Sequence, residues 1–534
     1  MAGISEQGVR KEYRRSGARD SGAYIAETYF EQATALLKRG VYAESEKYLR
    51  EVLRIWPEHA GALNNMGTAV WQQGRVEEAE AYYRRGLRLE PDDFGILNNL
   101  GNALWEQGKP AQAVQYYRRA LEFCPDSPET QMNLGVALSD VGEFDEALGW
   151  IRDSMRYRPD SPEAIDNLGL TLARQGKWDE AILCYEQALR LRPNYPEARR
   201  NRAHAWLAHG DYERGWPEYE WRLRCRNHRG LTVNRPRWTG EALAGHAILL
   251  HAEQGIGDTL QFLRFAPAVE RRGGRVIVAC PEPLVEIVAR CPGVAHVQEA
   301  TLPVSDCQVH SPLLSLPAVL GTTAVSLAAD VPYLSADVAT IERWRPIVER
   351  VVAPFESRNK DRAAGRGRVL RIGIAWQGSS RNRVDRWRSF PLRRLARVGE
   401  IPGVCLISLQ KGEGTEQIAD LDGRFPVALL EDPAGGNEDR RSLLDTAAVM
   451  HHLDLVITPD SAIAHLAGSL GVRVWLALPA VAEWRWLTDR DDSPWYPTMT
   501  LFRQSTPGDW DGVFRRMACD LEEESVRACD DNPA

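Results

Sequence analysis

Four loops in this chain combine residue types that can bind or move charge. The most informative is in Leu453 to Pro479. Leu455, Val456 and Ile457 form a short apolar, β-branched run of the kind a buried parallel strand uses, and Pro459-Asp460-Ser461 breaks it. Ile463 to Leu470 then reads as a helix, Gly471 as its stop and Val472 to Leu478 as a second strand. The start of such a helix presents unpaired backbone N–H groups and the positive end of a dipole. The amides of Ala462 and Ile463 and the Ser461 hydroxyl therefore suit a phosphate. The alternative is that Asp460 or Ser461 only caps the helix. A second loop, Gln377 to Pro391, sets Arg381, Arg383, Arg386 and Arg388 against the single Asp385. A third, Gln410-Lys411-Gly412-Glu413-Gly414, closes an apolar run from Val404 to Leu409. The fourth, Glu253 to Asp258, carries Gly255 and Gly257 into a helix. Leu260 stands where a dinucleotide fingerprint needs its third glycine, so an NAD enzyme fits poorly.

The elements that must position these loops read as two α/β units. In the first, residues 225–357, strands Ala247 to His251 and Arg275 to Ala279 flank the Gly-rich loop and its helix at βαβ distance, after a Pro/Gly-rich connector. Residues 358–368, RNKDRAAGRGR, read as a solvated linker. The second unit, 369–534, starts with strand Leu370 to Trp376 and ends in a helix.

The first half is a repeat array. After a polar tail, residues 1–25, Pro57, Pro91, Pro125, Pro159 and Pro193 recur every 34 residues. Gly40, Gly74, Gly108, Gly142, Gly176 and Gly210 keep the same step, as do Gly67, Gly101, Gly135 and Gly169. Ala79, Ala113, Ala147 and Ala181 recur likewise, with Tyr83, Tyr117 and Tyr185 four positions on. One glycine per repeat lets two helices approach and the other turns the chain, over 26–224, giving five full repeats and a partial sixth. Asn65, Asn99, Asn133, Asn167 and Asn201 share the period. A line of carboxamides can hydrogen-bond an extended peptide; the alternative is plain repeat consensus.

Composition narrows the function. A net charge of −8 gives no reason to expect nucleic acid. Nine cysteines form no C-x-x-C pair and no His/Cys cluster has zinc spacing, so a reduced, cytoplasmic setting is expected and no metal is. No secretory leader or membrane span is expected either.

The first half resembles the tetratricopeptide repeat family, and the second resembles a heptosyltransferase-like GT-B glycosyltransferase module. The residues that carry the second likeness are EQGIGDTLQFLRF (253–265), IGIAWQG (372–378), ISLQKGEG (407–414), DTAAVMHHLDLVITPDSAIAHLAGSLG (445–471) and EWRWLTDRDDSPWYP (483–497). The resemblance implies an all-α tetratricopeptide superhelix followed by an α/β GT-B module, two Rossmann-like units facing a cleft. It implies an inverting, metal-independent transfer with Asp258 as general base. Arg388, Gln410, Glu413, Asp460, Ser461, Ala462 and His465 would bind a nucleotide-sugar donor, Arg388 standing where the family has a lysine. The asparagine register resembles the ladder of O-GlcNAc transferase, also a repeat array fused to a glycosyltransferase. The layout thus implies a protein O-glycosyltransferase whose repeats hold a polypeptide, with flagellin or another surface protein as acceptor. Two other readings are a saccharide acceptor with the repeats as docking module, and a scaffold whose module is inactive. Trp484, Trp486 and Trp495 read as packing.

Overall fold

The computed structural model describes residues 19–226, 228, 230–303, 306–323, 327, 331–362, 368–379, 384–431 and 443–530. The chain divides into two compact units, Met1–Tyr195 and Pro196–Ala534. The expected repeat array, 26–224, thus spans the division.

The described part of the first unit is five helix pairs: α1 (Arg19–Lys38) with α2 (Tyr42–Ile55), α3 (Ala60–Trp71) with α4 (Val76–Leu89), α5 (Phe94–Glu106) with α6 (Pro110–Phe123), α7 (Pro128–Val141) with α8 (Phe144–Tyr157), and α9 (Pro162–Arg174) with α10 (Trp178–Leu191). The two glycine registers do different jobs. Gly74, Gly108, Gly142 and Gly176 turn the chain within a pair, with φ between 76° and 94°, a region costly to residues with a Cβ. The other register sets helix approach. A Cβ on Gly101 would sit 2.5 Å from Cε1 of Tyr117, and one on Gly67 equally close to Tyr83. Where the tyrosine is missing, Ile151 fills the same place against Gly135. Asp93, Ser127 and Ser161 cap α5, α7 and α9 by accepting a hydrogen bond from the third helical amide. The expected tail reached residue 25, but α1 already begins at Arg19, with Ala26 fully buried. Residues 1–18 of that tail lie outside the described residues.

The second unit begins with a helical hairpin, α11 (Pro196–Ala208) and α12 (Tyr212–Tyr219), followed by a short turn of helix to Arg224. Two parallel sheets follow. The first has β1 (Ala247–His251), β2 (Arg275–Cys280), β3 (Val294–Glu299) and β4 (Val309–Pro312) in the order β3-β2-β1-β4. Its helices are α13 (Ile256–Phe262), α14 (Ala266–Arg271), α15 (Val285–Val288) and α16 (Leu316–Leu320). A long helix, α17 (Val338–Arg362), runs on to the second sheet, so residues 358–362 of the expected linker are helical. Its next five residues, 363–367, lie outside the described ones.

The second sheet contains β5 (Leu370–Ile374), β6 (Val404–Ser408), β7 (Val427–Ala428), β8 (Leu455–Pro459), β9 (Val474–Leu478) and β10 (Met499–Arg503), in the order β10-β9-β8-β5-β6-β7. The helices are α18 (Asp385–Arg388), α19 (Ala396–Gly399), α20 (Leu443–Met450), α21 (Ala462–Ser469) and the terminal α22 (Trp510–Asp530). Every residue of β8 and β9 is buried, which explains their unbroken apolar runs. Among the described residues no helix is long and apolar enough to cross a membrane.

The glycine pairing gives a prediction with two signs. Gly101→Ala gains up to about 1 kcal/mol of helix propensity but must displace the Tyr117 ring, an overpacking cost of about 1–3 kcal/mol. Gly149→Ala in α8 meets nothing within 4 Å. In urea unfolding followed by circular dichroism, Gly101→Ala is expected to lower the midpoint and Gly149→Ala to raise it. Equal shifts at both positions would reject the close-approach account.

Candidate functional site

In the second sheet the strand order reverses between β5 and β8, and crevices at such reversals are where α/β sheets bind ligands. The loop after β5 leads to Arg388, and the loop after β8 is Asp460-Ser461. Ser461 occupies the N-cap position of α21 with extended backbone, yet its side chain caps nothing. Its hydroxyl lies 3.1 Å from Oγ1 of Thr458 instead. The capping alternative is therefore not realised by Ser461, and Ala462 and Ile463 at the helix start stay partly exposed.

Arg388 is aimed by a chain of contacts that begins with buried Asp385. The Asp385 carboxylate accepts from the Ser389 hydroxyl at 2.9 Å and lies 3.3 Å from Arg388 Nε. Ser389 Oγ accepts from the amide of Gly378 at 3.0 Å. Arg388 Nη1 is then 4.0 Å from Asp460, whose other oxygen is 3.9 Å from His465 Nε2. Arg381 and Arg383 lie outside the described residues. Gln410 acts at one remove. Its Oε1 accepts from the amides of Trp376 and Gln377, and its Nε2 donates to the carbonyls of Gln377 and Glu413. The side chain is saturated, so Gln410 pins the loops after β5 and β6 together. Glu413 is exposed on the second of them.

The first sheet brings Asp258 to the same place. Asp258 is the third residue of α13 and accepts from the amide of Gly255 at 2.8 Å. Its other oxygen accepts from Nη2 of Arg485, a buried residue on the loop between β9 and β10. Arg485 also donates to Gln261 Oε1 at 2.6 Å and to Glu483, and its guanidinium lies over Trp484 at 4.3 Å. Gly257 has no Cβ because one would sit 2.7 Å from the His465 ring. The loop after β1 thus lies directly against the start of α21. The hairpin completes the frame. Arg222 pairs with Glu253 at 2.6 Å, the Tyr219 hydroxyl accepts from Gln254 at 3.2 Å, and Trp216 packs edge-on against Trp484, Trp495 and Phe262.

Asp258, Arg388, Asp460, Ser461, Ala462 and His465 therefore converge, while Gln410 and Glu413 stand one loop further out. Sequence reasoning missed Asp385, Glu483 and Arg485. The signal was present in EWRW, where an arginine flanked by two buried tryptophans must find polar partners.

Burial holds the His465 imidazole neutral, well below its ordinary range, with Arg485, Arg264 and Arg388 acting in the same direction. Its Nδ1 is hydrogen-bonded to the Tyr496 hydroxyl at 3.0 Å and its ring stacks on Trp486. Glu483 goes the other way. Burial pushes its carboxyl up to about 7 against the opposing charge of Arg485, and Asp460 adds to the rise.

The asparagine register occupies the first unit as far as Asn167. Each of Asn65, Asn99, Asn133 and Asn167 is half-buried and donates Nδ2 to the preceding repeat: to Thr34 at 2.9 Å, Asn64 at 2.9 Å, Asn102 at 3.0 Å and the sulfur of Met132 at 3.4 Å. Among the described residues their Oδ1 atoms accept no hydrogen bond. Asn201 lies in the second unit, buried, with its Oδ1 3.2 Å from Arg200.

Comparison with known proteins identifies the helical part. The tetratricopeptide repeat model matches residues 30–94, 66–128 and 98–162, and a TPR repeat model matches 169–210, so these segments are tetratricopeptide repeats. Protein FlbA of Caulobacter vibrioides is 25% identical over 338 residues, 58% of this chain and 52% of that protein. The chain spans about half the length of that relative. Among solved structures, YrrB, described as a TPR protein with an unusual peptide-binding site, is 21% identical over 34% of this chain and 97% of its own, with a TM-score of 0.30. PilF of Pseudomonas aeruginosa is 18% identical over 38% and 91%, with a TM-score of 0.32.

The buried imidazoles fix a pH dependence. His251 is held down to about 4 by burial and by neighbouring His310, 3.1 Å away, and His465 is lowered too. The unfolded chain binds these protons near 6.5 and the folded one does not, so stability falls as pH drops below that value. Glu483 opposes this between 4.5 and about 7, because its folded form binds a proton more readily. Two deeply buried imidazoles outweigh one part-exposed carboxyl. Tryptophan-monitored urea unfolding is expected to show a lower midpoint at pH 5 than at pH 7.5, corresponding to a loss of unfolding free energy on the order of 1 kcal/mol per buried imidazole. An unchanged midpoint would show that these rings are not held neutral.

Proposed function

We propose that the chain is a cytoplasmic protein O-glycosyltransferase. It moves a sugar from a nucleotide-sugar donor to a Ser or Thr hydroxyl of a polypeptide held by the repeats, with inversion and without a metal. The observation that carries this reading is the uncapped start of α21 beside Arg388 at the strand-order reversal of the second sheet. A helix start and a guanidinium there would hold the donor's diphosphate and stabilise the charge that develops as it leaves. Glu413, on the neighbouring loop, would meet the donor's sugar hydroxyls. Asp258, on the loop after β1, would take the acceptor's proton. The Oδ1 atoms of Asn65, Asn99, Asn133 and Asn167, which accept no hydrogen bond among the described residues, would accept from a peptide backbone. The layout is similar to that of bacterial flagellin glycosyltransferases, so flagellin or another surface protein would be the acceptor.

The test is a thermal-shift screen against UDP, GDP, ADP and CMP sugars, followed by transfer of labelled sugar to polypeptide. Arg388→Ala is expected to weaken donor binding more than Ser461→Ala, because a charged hydrogen bond contributes about 1.5–3 kcal/mol against about 0.5–1.5 for a neutral one. Normal donor binding in both variants would move the donor site elsewhere.

The ladder has its own test. Replacing Asn99, Asn133 and Asn167 together by Ala is expected to lower kcat/KM for a protein acceptor ten-fold to about thousand-fold, at about 0.5–1.5 kcal/mol per carboxamide. Donor hydrolysis without acceptor should be unchanged. Because each Nδ2 also ties two repeats, the array should lose stability too, a cost that helix propensity alone would not reveal. No selective loss with the protein acceptor would leave the ladder as a repeat-to-repeat tie.

A further inference from the structure

We propose that the surface between α19 and α22 carries a second anion site, built from Arg393, Arg394, Arg397 and Arg424. Its ligand is a free molecule ending in two or more linked phosphate groups. This site shares no residue with the donor site and stands whether or not the chain is a transferase. Its origin is local sequence. In the run Pro391 to Glu400, Leu392, Leu395 and Val398 are buried in the core of the second sheet. That three-residue step turns Arg393, Arg394 and Arg397 outward, with Arg393 and Arg397 four positions apart. A second segment does the same. Leu421 and Phe425 are buried in that core and leave Arg424 exposed between them.

The four arginines line one hollow of about 200 Å³, together with Asp511 and Phe514 of α22. Asp511 is the one carboxylate in that lining, and it is already paired with Arg394. Among the described residues Arg393, Arg397 and Arg424 make no ion pair and no side-chain hydrogen bond. The Nε of Arg394 is buried and has no acceptor there either. The next acid, Asp509, is engaged elsewhere, by the Gly512 amide at 2.8 Å and the Ser505 hydroxyl at 3.1 Å. Four guanidiniums against one carboxylate leave three positive charges around the hollow, on a chain whose net charge is −8. Like charges held together repel, and an anion placed among them removes that cost. The guanidinium fork fixes the class of anion, because it takes two oxygens of one phosphate at once. The hollow is smaller than the roughly 300–1,000 Å³ that encloses a drug-sized ligand, so it fits a phosphate end and not a whole molecule. A linked pair or trio of phosphates matches the surplus charge, where one carboxylate would leave most of it unmatched. An acidic polypeptide would spread its charge along a groove, whereas here the positive charge converges on one point.

The experiment is calorimetric titration of the full chain with pyrophosphate, using Arg388→Ala as the background so that the cleft's own anion site is removed. One pyrophosphate per chain is expected to bind in that background, more weakly as NaCl rises from about 0.05 M to about 0.5 M. Adding Arg393→Gln, Arg397→Gln and Arg424→Gln together is expected to weaken it at least about ten-fold, since charge-assisted contacts are lost at three points. Arg394 stays, because it also holds Asp511. The three replaced side chains are exposed, so the urea midpoint without ligand should not fall. The rise in that midpoint on adding pyrophosphate should shrink with the affinity. Two further probes identify the source of the anion: polyglutamate, and phosphatidylcholine vesicles containing phosphatidylglycerol. Binding of either one in place of pyrophosphate overturns the proposal, because the surface would then dock a polypeptide or a membrane. Pyrophosphate affinity unchanged by the three glutamines also overturns it. So does loss of all pyrophosphate binding in Arg388→Ala alone, which would give the anion to the cleft.

Discussion

The Arg485 guanidinium is the interaction on which the second unit depends. A buried cation is costly to leave unpaired, so its position dictates where three other side chains must be. Asp258 and Gln261 come from the helix after β1, and Glu483 from the loop before β10. Trp484 covers the planar face. Removing any one of these leaves charge without compensation, whereas a surface pair could be lost with little effect. The hairpin joins the same node, since Trp216 and Tyr219 pack on Trp484 while Arg222 fixes Glu253 at the head of the β1 loop. The Arg485 ion network and the aromatic packing around Trp484 thus tie the hairpin and both sheets to the place where the candidate site residues meet.

That arrangement explains what could be read in the chain and what could not. The 34-residue step was legible because each repeat solves the same packing problem, so Gly67, Gly101 and Gly169 face a tyrosine sixteen positions on. The strands of the second unit were legible because buried parallel strands are unbroken apolar runs. The start of α1 and the run of α17 into the linker were missed, because polar surface on a helix resembles polar surface on a coil. The Arg485–Asp258 contact was out of reach for another reason. Its partners are 227 residues apart, and no local pattern encodes a pairing made only by folding.

The asparagine register lies between these cases. Its period was plain and its role was not, since a repeated carboxamide can serve a ligand or the array. The structure shows that it serves the array with Nδ2, which in Asn99 and Asn133 meets another asparagine of the preceding repeat. The neighbouring Asn64 and Asn102 carry no strict period but accept those bonds. A side chain held by its donor leaves its acceptor in a fixed direction, so the structural role does not exclude a ligand-binding one.

Two helix starts face one another in the second unit, and they differ in how they are capped. Both follow a strand of a parallel sheet and both carry an aspartate, so in sequence they look alike. In α13 the aspartate lies inside the helix, at its third residue, and folds back on the Gly255 amide, so the helix start neutralises its own acid. In α21 the aspartate lies one residue before the N-cap and the Ser461 hydroxyl turns to Thr458, so the first amides are left without a side-chain cap. A helix that caps itself has no use for a ligand's negative charge, whereas an uncapped one beside Arg388 favours an anion there. Gly257 permits the two starts to approach within contact of the His465 ring. The self-capped start of α13 and the uncapped start of α21 thereby lie against each other.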